Sequence, residues 1–302
     1  MNPIITQSLP IIGLVGVGFL LRQIGVIRAG EGTVLTRLIM NATLPAVIFL
    51  SVAKAEVAPS RLVVLLLCGI TVPLIQRAIA GFVVSRFHIE RSIAGVIVIS
   101  TMAAQVGFFL FPFFQLVYGS EGLGRLAAYD VGNSLVASSY CFYLALSYGS
   151  KPPIGWRASL KRILALPILW AGLLGLFFGI SRIQLPDLLN RLLETLGTAN
   201  TPLAMLALGT FLQLRYPNWK PMALTVALRM GMGLLIGLAI VSLVPLDAME
   251  RAAVGVGAAM PVGMVVLVYA VAEGMDAEFA AGVISLSILV GLVVTPILLA
   301  LF

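Results

Sequence analysis

Apolar residues in this chain come in long unbroken runs, without the one-faced or alternating pattern of a soluble core. Ten runs can be marked, at 3–22, 34–53, 62–85, 92–118, 126–148, 162–181, 192–214, 222–245, 252–273 and 278–302. An apolar helix needs about 20 residues to cross the hydrocarbon of a bilayer, so each run predicts one crossing. The connections are short, and the pattern predicts a single all-α integral membrane domain over residues 1–302. The first run does not read as a cleaved leader. Met1-Asn2-Pro3 supplies no basic segment, and no small-residue cleavage site precedes Arg22.

Two of the runs carry a proline in their interior, Pro112 in the fourth and Pro261 in the ninth. Each of these runs opens on the same signature, Glu90-Arg91-x-x-x-Gly95-Val96 and Glu250-Arg251-x-x-x-Gly255-Val256. Pro45 in the second run has a counterpart in Pro202 of the seventh. The chain therefore reads as two copies of one five-run unit, at approximately 1–149 and 158–302. An odd number of crossings per copy makes the two copies antiparallel in the membrane. Proline lacks an N–H and clashes with the preceding turn, and glycine loosens a helix. Unwinding is accordingly expected over Gln105–Pro112 and around Met260-Pro261-Val262-Gly263. Irregular backbone persists at membrane depth only where protein buries it or where it lines a wet cavity. Crossed breaks would aim the positive ends of half-helices at one midplane point, a setting for an anion.

Composition agrees with this picture: 60% of residues are hydrophobic and 10% charged. Charge orients the chain. One set of alternate loops holds eleven Lys and Arg (Arg22, Arg28 and Arg37; Arg86 and Arg91; Lys151, Arg157, Lys161 and Arg162; Arg215 and Lys220). The opposite set holds six, namely Lys54, Arg61, Arg125, Arg182, Arg191 and Arg251. Short cytoplasmic loops accumulate basic residues, so both termini are expected outside the cytoplasm. The net charge of +7 follows from that bias and implies no nucleic-acid partner. Cys68 and Cys141 sit inside apolar runs and His88, the single histidine, in a polar loop. No metal ligand set, histidine-based triad or enzyme chemistry is expected, and no cofactor is implied.

Several polar residues fall inside the runs. Asp130 is followed by Asn133, Ser134 and Ala137 at helical spacing, giving one polar face. It is either a protonatable coupling group or a hydrogen-bond post between helices. Arg77, beside Gln76, and Arg229 lie well inside the cytoplasmic boundary. They either snorkel toward it or serve as countercharge to an anionic substrate or to Asp130. Asn41, just ahead of the Pro45 kink, points its amide at substrate or ties helices together. Glu273, Asp276 and Glu278 read as a solvated acidic turn.

The series Asn41-x-x-Leu44-Pro45-Ala46-x-Ile48-Phe49, Gln105-x-Gly107-Phe108-x-x-x-Pro112, Tyr129-Asp130-x-Gly132-Asn133, Pro202-Leu203-Ala204-Met205-x-x-Leu208-Gly209, Met260-Pro261 and Thr295-Pro296-x-Leu298-Leu299 resembles the auxin efflux carrier family of transporters. The resemblance spans the chain. It implies ten transmembrane helices in two inverted five-helix repeats, with crossed, discontinuous helices 4 and 9, as in bile-acid symporters and sodium/proton antiporters. It implies export or exchange of a small organic anion such as a mono- or dicarboxylate by secondary transport in the bacterial inner membrane, and it is compatible with a homodimer. At the first break the family usually has Asn-Thr-Gly-Phe-Leu-Gly-x-Pro, whereas this chain has Gln105 for the Asn and Leu110 for the second Gly. The residues expected at the substrate are Asn41, Gln105, Val106, Gly107, Pro112, Asn133, Met260, Pro261 and Gly263. Asp130, Arg77 and Arg229 are the coupling or countercharge candidates. The sequence leaves proton, sodium and membrane potential open as the driving force. A ligand-sensing receptor that binds without transporting is the alternative function.

Overall fold

The computed structural model describes residues 3–28, 31–54, 58–87, 89–150, 164–165, 167–213 and 219–302. His88 and the loop cations Lys151, Arg157, Lys161, Arg162 and Arg215 lie outside the described residues. In chain order the helices are α1 (Pro3–Gln23), α2 (Gly32–Leu38) and α3 (Leu44–Ala53), the last two joined through a π-helical turn, Ile39–Thr43. Next come α4 (Pro59–Arg86), α5 (Arg91–Met102), a second π turn at Val106–Leu110, α6 (Phe111–Ser138) and α7 (Tyr140–Tyr148). The second half comprises α8 (Pro167–Ser181), α9 (Asp187–Phe211), α10 (Trp219–Val226), a third π turn at Ala227–Gly231, α11 (Met232–Leu243), α12 (Ala248–Ala258), α13 (Val265–Glu273) and α14 (Ala277–Leu301).

Five helical stretches among the described residues are long and apolar enough to cross a membrane by length and composition: Gly32–Ala53, Pro59–Arg86, Val106–Tyr148, Trp219–Leu243 and Ala277–Leu301. The third of these has 43 residues. At 1.5 Å per residue a straight rod of that length would reach about 65 Å, twice the hydrocarbon thickness. It does not run straight, because Gly119 breaks it with φ 60° and ψ −158°, a conformation that glycine adopts without a Cβ penalty.

Local chemistry sets the helix ends. Asp247 accepts from the Glu250 N–H and Glu250 reaches back to the Asp247 N–H, closing a capping box at the start of α12. Asp276 caps α14 at the Phe279 N–H, and Gly274, with φ 69°, ends α13 in the left-handed conformation. The expected acidic turn is different in part: Glu273 is buried at 4% exposure, and its carbonyl accepts from the Ser150 N–H. It belongs to the packed end of α13 and not to a solvated loop.

The helices fall into two packed groups. In one, α1 lies on α9 and α3 on α8, with α9 also against α3. Backbones approach closely there because Gly18 faces the Leu206 carbonyl and Gly209 the Val15 carbonyl. A buried bond from the Thr43 hydroxyl to Asn200 Oδ1, 2.9 Å long, ties the group across the two halves of the chain. The other group is built on α4 against α6, on α11 against α12, and on the interrupted helices α5 and α12 with their continuations.

Candidate functional site

The two interruptions meet. Ala103–Gln105 runs extended after α5 ends, and Ala104 forms an antiparallel bridge with Val262 in the gap between α12 and α13. The Gln105 N–H donates to the Pro261 carbonyl at 2.9 Å, and the Gly263 N–H to the Ala103 carbonyl at 2.8 Å. Pro261 thus occupies a strand position where only its carbonyl is used, which suits a residue without an N–H. Pro112 is placed otherwise than expected. It sits in the first turn of α6, where proline is tolerated, and the unwound backbone lies upstream at Ala103–Gln105.

Side chains satisfy the other backbone groups freed at the crossing. Asn133 on α6 brackets Ala104, with Oδ1 accepting from the Ala104 N–H at 3.4 Å and Nδ2 donating to the Ala104 carbonyl at 3.2 Å. Ser287 on α14 accepts from the Val262 N–H at 3.0 Å. Gln105 Oε1 accepts from the Met264 N–H at 2.8 Å and so caps the start of α13. Unpaired backbone groups at this depth cost about 1–3 kcal/mol each, so these amide and hydroxyl groups are what allow the breaks to exist.

A cavity of about 450 Å³ opens against this crossing. Gln105, Val106, Gly107, Asp130, Asn133 and Gly263 all contribute to its wall, together with Met264 and Tyr269. Thr36, Met40 and Leu44 from the first helix group close the other side, so the cavity lies between the two groups. Asp130, 3% exposed, has no cation partner among the ion pairs of the described residues. Its Oδ1 accepts from Asn133 Nδ2 at 3.3 Å. Its other oxygen rests on Gly107, where an added Cβ would come within 2.8 Å of it. A larger groove of about 800 Å³, near Lys54 and Arg182, lies away from the breaks and gathers none of the expected residues.

Other expected residues are elsewhere. Asn41 is exposed and donates to the Arg37 carbonyl one turn back. Pro112, Met260 and Pro261 are buried behind the cavity wall, with Pro261 against Gly291 and the Met260 sulfur near the Thr295 hydroxyl. The Arg77 guanidinium folds over Gly81 on its own helix. Arg229 is buried at 1% exposure, and its Nη1 donates to Gln76 Oε1 at 2.7 Å and to the Ala258 carbonyl at 3.1 Å. Sequence reasoning missed Ser287, Thr36 and Tyr269. Ser287 carried a signal, as a hydroxyl in an otherwise apolar run.

Interrupted helices whose backbones pair in a membrane domain, with a polar-edged cavity against the pairing, are the construction of a transporter. Comparison with known proteins agrees. Residues 156–299 match the family model described as membrane transport protein. An uncharacterized transporter of Methanothermobacter thermautotrophicus is 27% identical over 293 residues, 96% of this chain and 95% of the relative. The uncharacterized transporter MJ1031 of Methanocaldococcus jannaschii is 25% identical over 206 residues, 65% of each chain. The protein is a multi-pass membrane transporter. These matches support the resemblance to the auxin efflux carrier family.

Proposed function

We propose that this transporter is a secondary carrier of a small organic anion, built from two inverted five-helix repeats and working by alternating access. The observation that carries the proposal is the reciprocal backbone pairing of Ala103–Gln105 with Pro261–Gly263 at the wall of the cavity. Taking the separation of Ala104 and Val262 as the repeat shift, the Gln105 to Pro261 bond maps onto the Gly263 to Ala103 bond. Thr43 bonds a residue 157 positions on, nearly the same shift. Exchanging the halves likewise turns the α1 contact with α9 into that of α8 with α3. Residues near a two-fold axis meet their own counterparts in this way.

The anion follows from the distribution of partial charge. The cavity wall includes Gly263, Met264 and Val265, the opening turn of α13, where N–H groups point outward and the dipole is positive. Gln105, at 7% exposure, accepts from Met264 through Oε1 and leaves its Nε2 without a bond to any described residue. A carboxylate seated here accepts from Nε2 and from the start of α13. Asp130 occupies the start of the other half-helix at Gly107 and is the candidate coupling group. Alternating access would move the group holding α1, α3, α8 and α9 against the crossing, since the cavity lies between the two groups.

The test is counterflow in vesicles reconstituted with purified protein and preloaded with mono- or dicarboxylates. Labelled carboxylate should accumulate, and Gln105→Ala should abolish accumulation while the protein still elutes as a folded species. Saturable binding without accumulation would replace the carrier with a receptor, and unchanged uptake by Gln105→Ala would remove this site.

A further inference from the structure

Arg229 is among the largest fully buried side chains of the described residues, yet none of the ion pairs there includes it. Arginine stays protonated in proteins, so the interior holds a cation whose bonded partners are neutral. The surroundings are built to keep it. Within the π turn Ala227–Gly231 the Arg229 carbonyl accepts from Gln76 Nε2 at 2.8 Å, while Gln76 Oε1 accepts from Arg229 Nη1 at 2.7 Å. The remaining bond goes to the carbonyl of Ala258, the last residue of α12. That carbonyl belongs to the negative end of a helix dipole, and the end points toward the crossing. Arg229 is not in the cavity wall.

We infer that Arg229 is a positioning residue that offsets the negative pole of α12, so that this pole does not repel an anion at the crossing that Arg229 itself does not touch. The arrangement is complementary to that of Asp130, whose carboxylate rests at the opening of the π turn Val106–Leu110, a positive end. Each charge sits at a helix end of opposite sign, one on each interrupted span. The inference rests on the anion reading above and goes beyond it by separating a residue that tunes the field at the crossing from the residues that hold the substrate. A unit charge at an effective dielectric of about 20 still alters an anion's affinity by about tenfold at a range of roughly 10 Å.

The experiment measures binding of a panel of mono- and dicarboxylates to the purified full chain, each beside its carboxamide, for example benzoate with benzamide and succinate with succinamide. The wild-type protein is expected to bind a carboxylate and to prefer it to the amide. A wild type that binds no carboxylate of the panel overturns the anion reading and this inference together. Arg229→Gln should weaken the carboxylate about tenfold and move its carboxamide by less than twofold, and Arg229→Lys should keep most of the preference. Gln76→Glu is the decisive variant if Arg229→Gln fails to fold. It keeps the guanidinium and its Nη1 bond, gives up the Nε2 bond to the Arg229 carbonyl and supplies the missing counter-charge, so an electrostatic role costs the carboxylate alone whereas a merely structural one costs carboxylate and amide equally. Equal loss for carboxylate and amide, or wild-type discrimination in Gln76→Glu, would overturn the inference while leaving the anion reading intact.

Discussion

Asn133 is the side chain on which the first break most depends, because one amide serves both the N–H and the carbonyl of Ala104 and also reaches Asp130. Asn133→Ala would leave two backbone groups unpaired. The penalty is up to about 3 kcal/mol for each group in a dry site, but hydrogen bonds inside membranes average about 0.6 kcal/mol in practice. With a cavity adjoining the site, the expectation is a loss of about 1–2 kcal/mol, read as a lowered midpoint of unfolding in detergent, with transport lost as well. Gly107→Ala acts differently. The new methyl would press on Asp130 at 2.8 Å and on a Leu44 methyl at 3.1 Å, so it should impair transport more than stability, measured by counterflow beside thermal unfolding. The polar face Asp130-x-x-Asn133 was legible from helical spacing alone, and Gln105 from its place beside a break. Asn41 shows where spacing stops being informative. It lies in the π turn Ile39–Thr43, whose extra residue rotates everything before it by about 100° around the helix axis, and no residue pattern announced that insertion.

At the level of elements, the runs and the two interruptions could be read from the sequence because apolar length and proline report directly on them. The exact unwound residues could not. Proline is tolerated in the first turn of a helix, so Pro112 marks where α6 begins, whereas Pro261 lies within the extended segment itself. The same proline chemistry gives opposite placements, and what decides between them is the pairing of Ala104 with Val262, a long-range contact. The bond between Thr43 and Asn200 is the clearest tie between the halves within the group of α1, α3, α8 and α9. A double-mutant cycle on Thr43→Val and Asn200→Ala should give a coupling of about 0.5–1 kcal/mol, within the range of buried bonds between membrane helices. A coupling indistinguishable from zero in reversible unfolding would mean that this bond does not help hold the group together.

For the whole molecule, the distribution of charge and the opening of the cavity make one joint prediction. The ion pairs among the described residues draw their cations from the basic-poor set of loops. Lys54 meets Glu194, Arg61 meets the buried Glu250, and Arg125 meets both Asp247 and Glu121. No described cation of the basic-rich set is in such a pair. Arg22 and Arg91 bond backbone carbonyls instead. The contrast in unneutralised positive charge is therefore greater than the count of eleven against six, although topology follows Lys and Arg themselves more than net charge. The cavity is lined by Thr36 in the short helix α2, by Ala165 just ahead of α8, by Ser138 at the end of α6 and by Val268 in α13. All of these lie from the crossing toward the basic-rich end, so the cavity should face the cytoplasm. Cys68 and Cys141 are buried, so single cysteines can be introduced with little background. A membrane-impermeant maleimide should label Leu188→Cys, at an exposed position beside the start of α9, in intact cells. It should reach Ser85→Cys, near the end of α4, only after the cells are opened. The reverse pattern would invert the chain in the membrane and turn the cavity outward, and labelling of both from outside would remove the membrane barrier between the two ends.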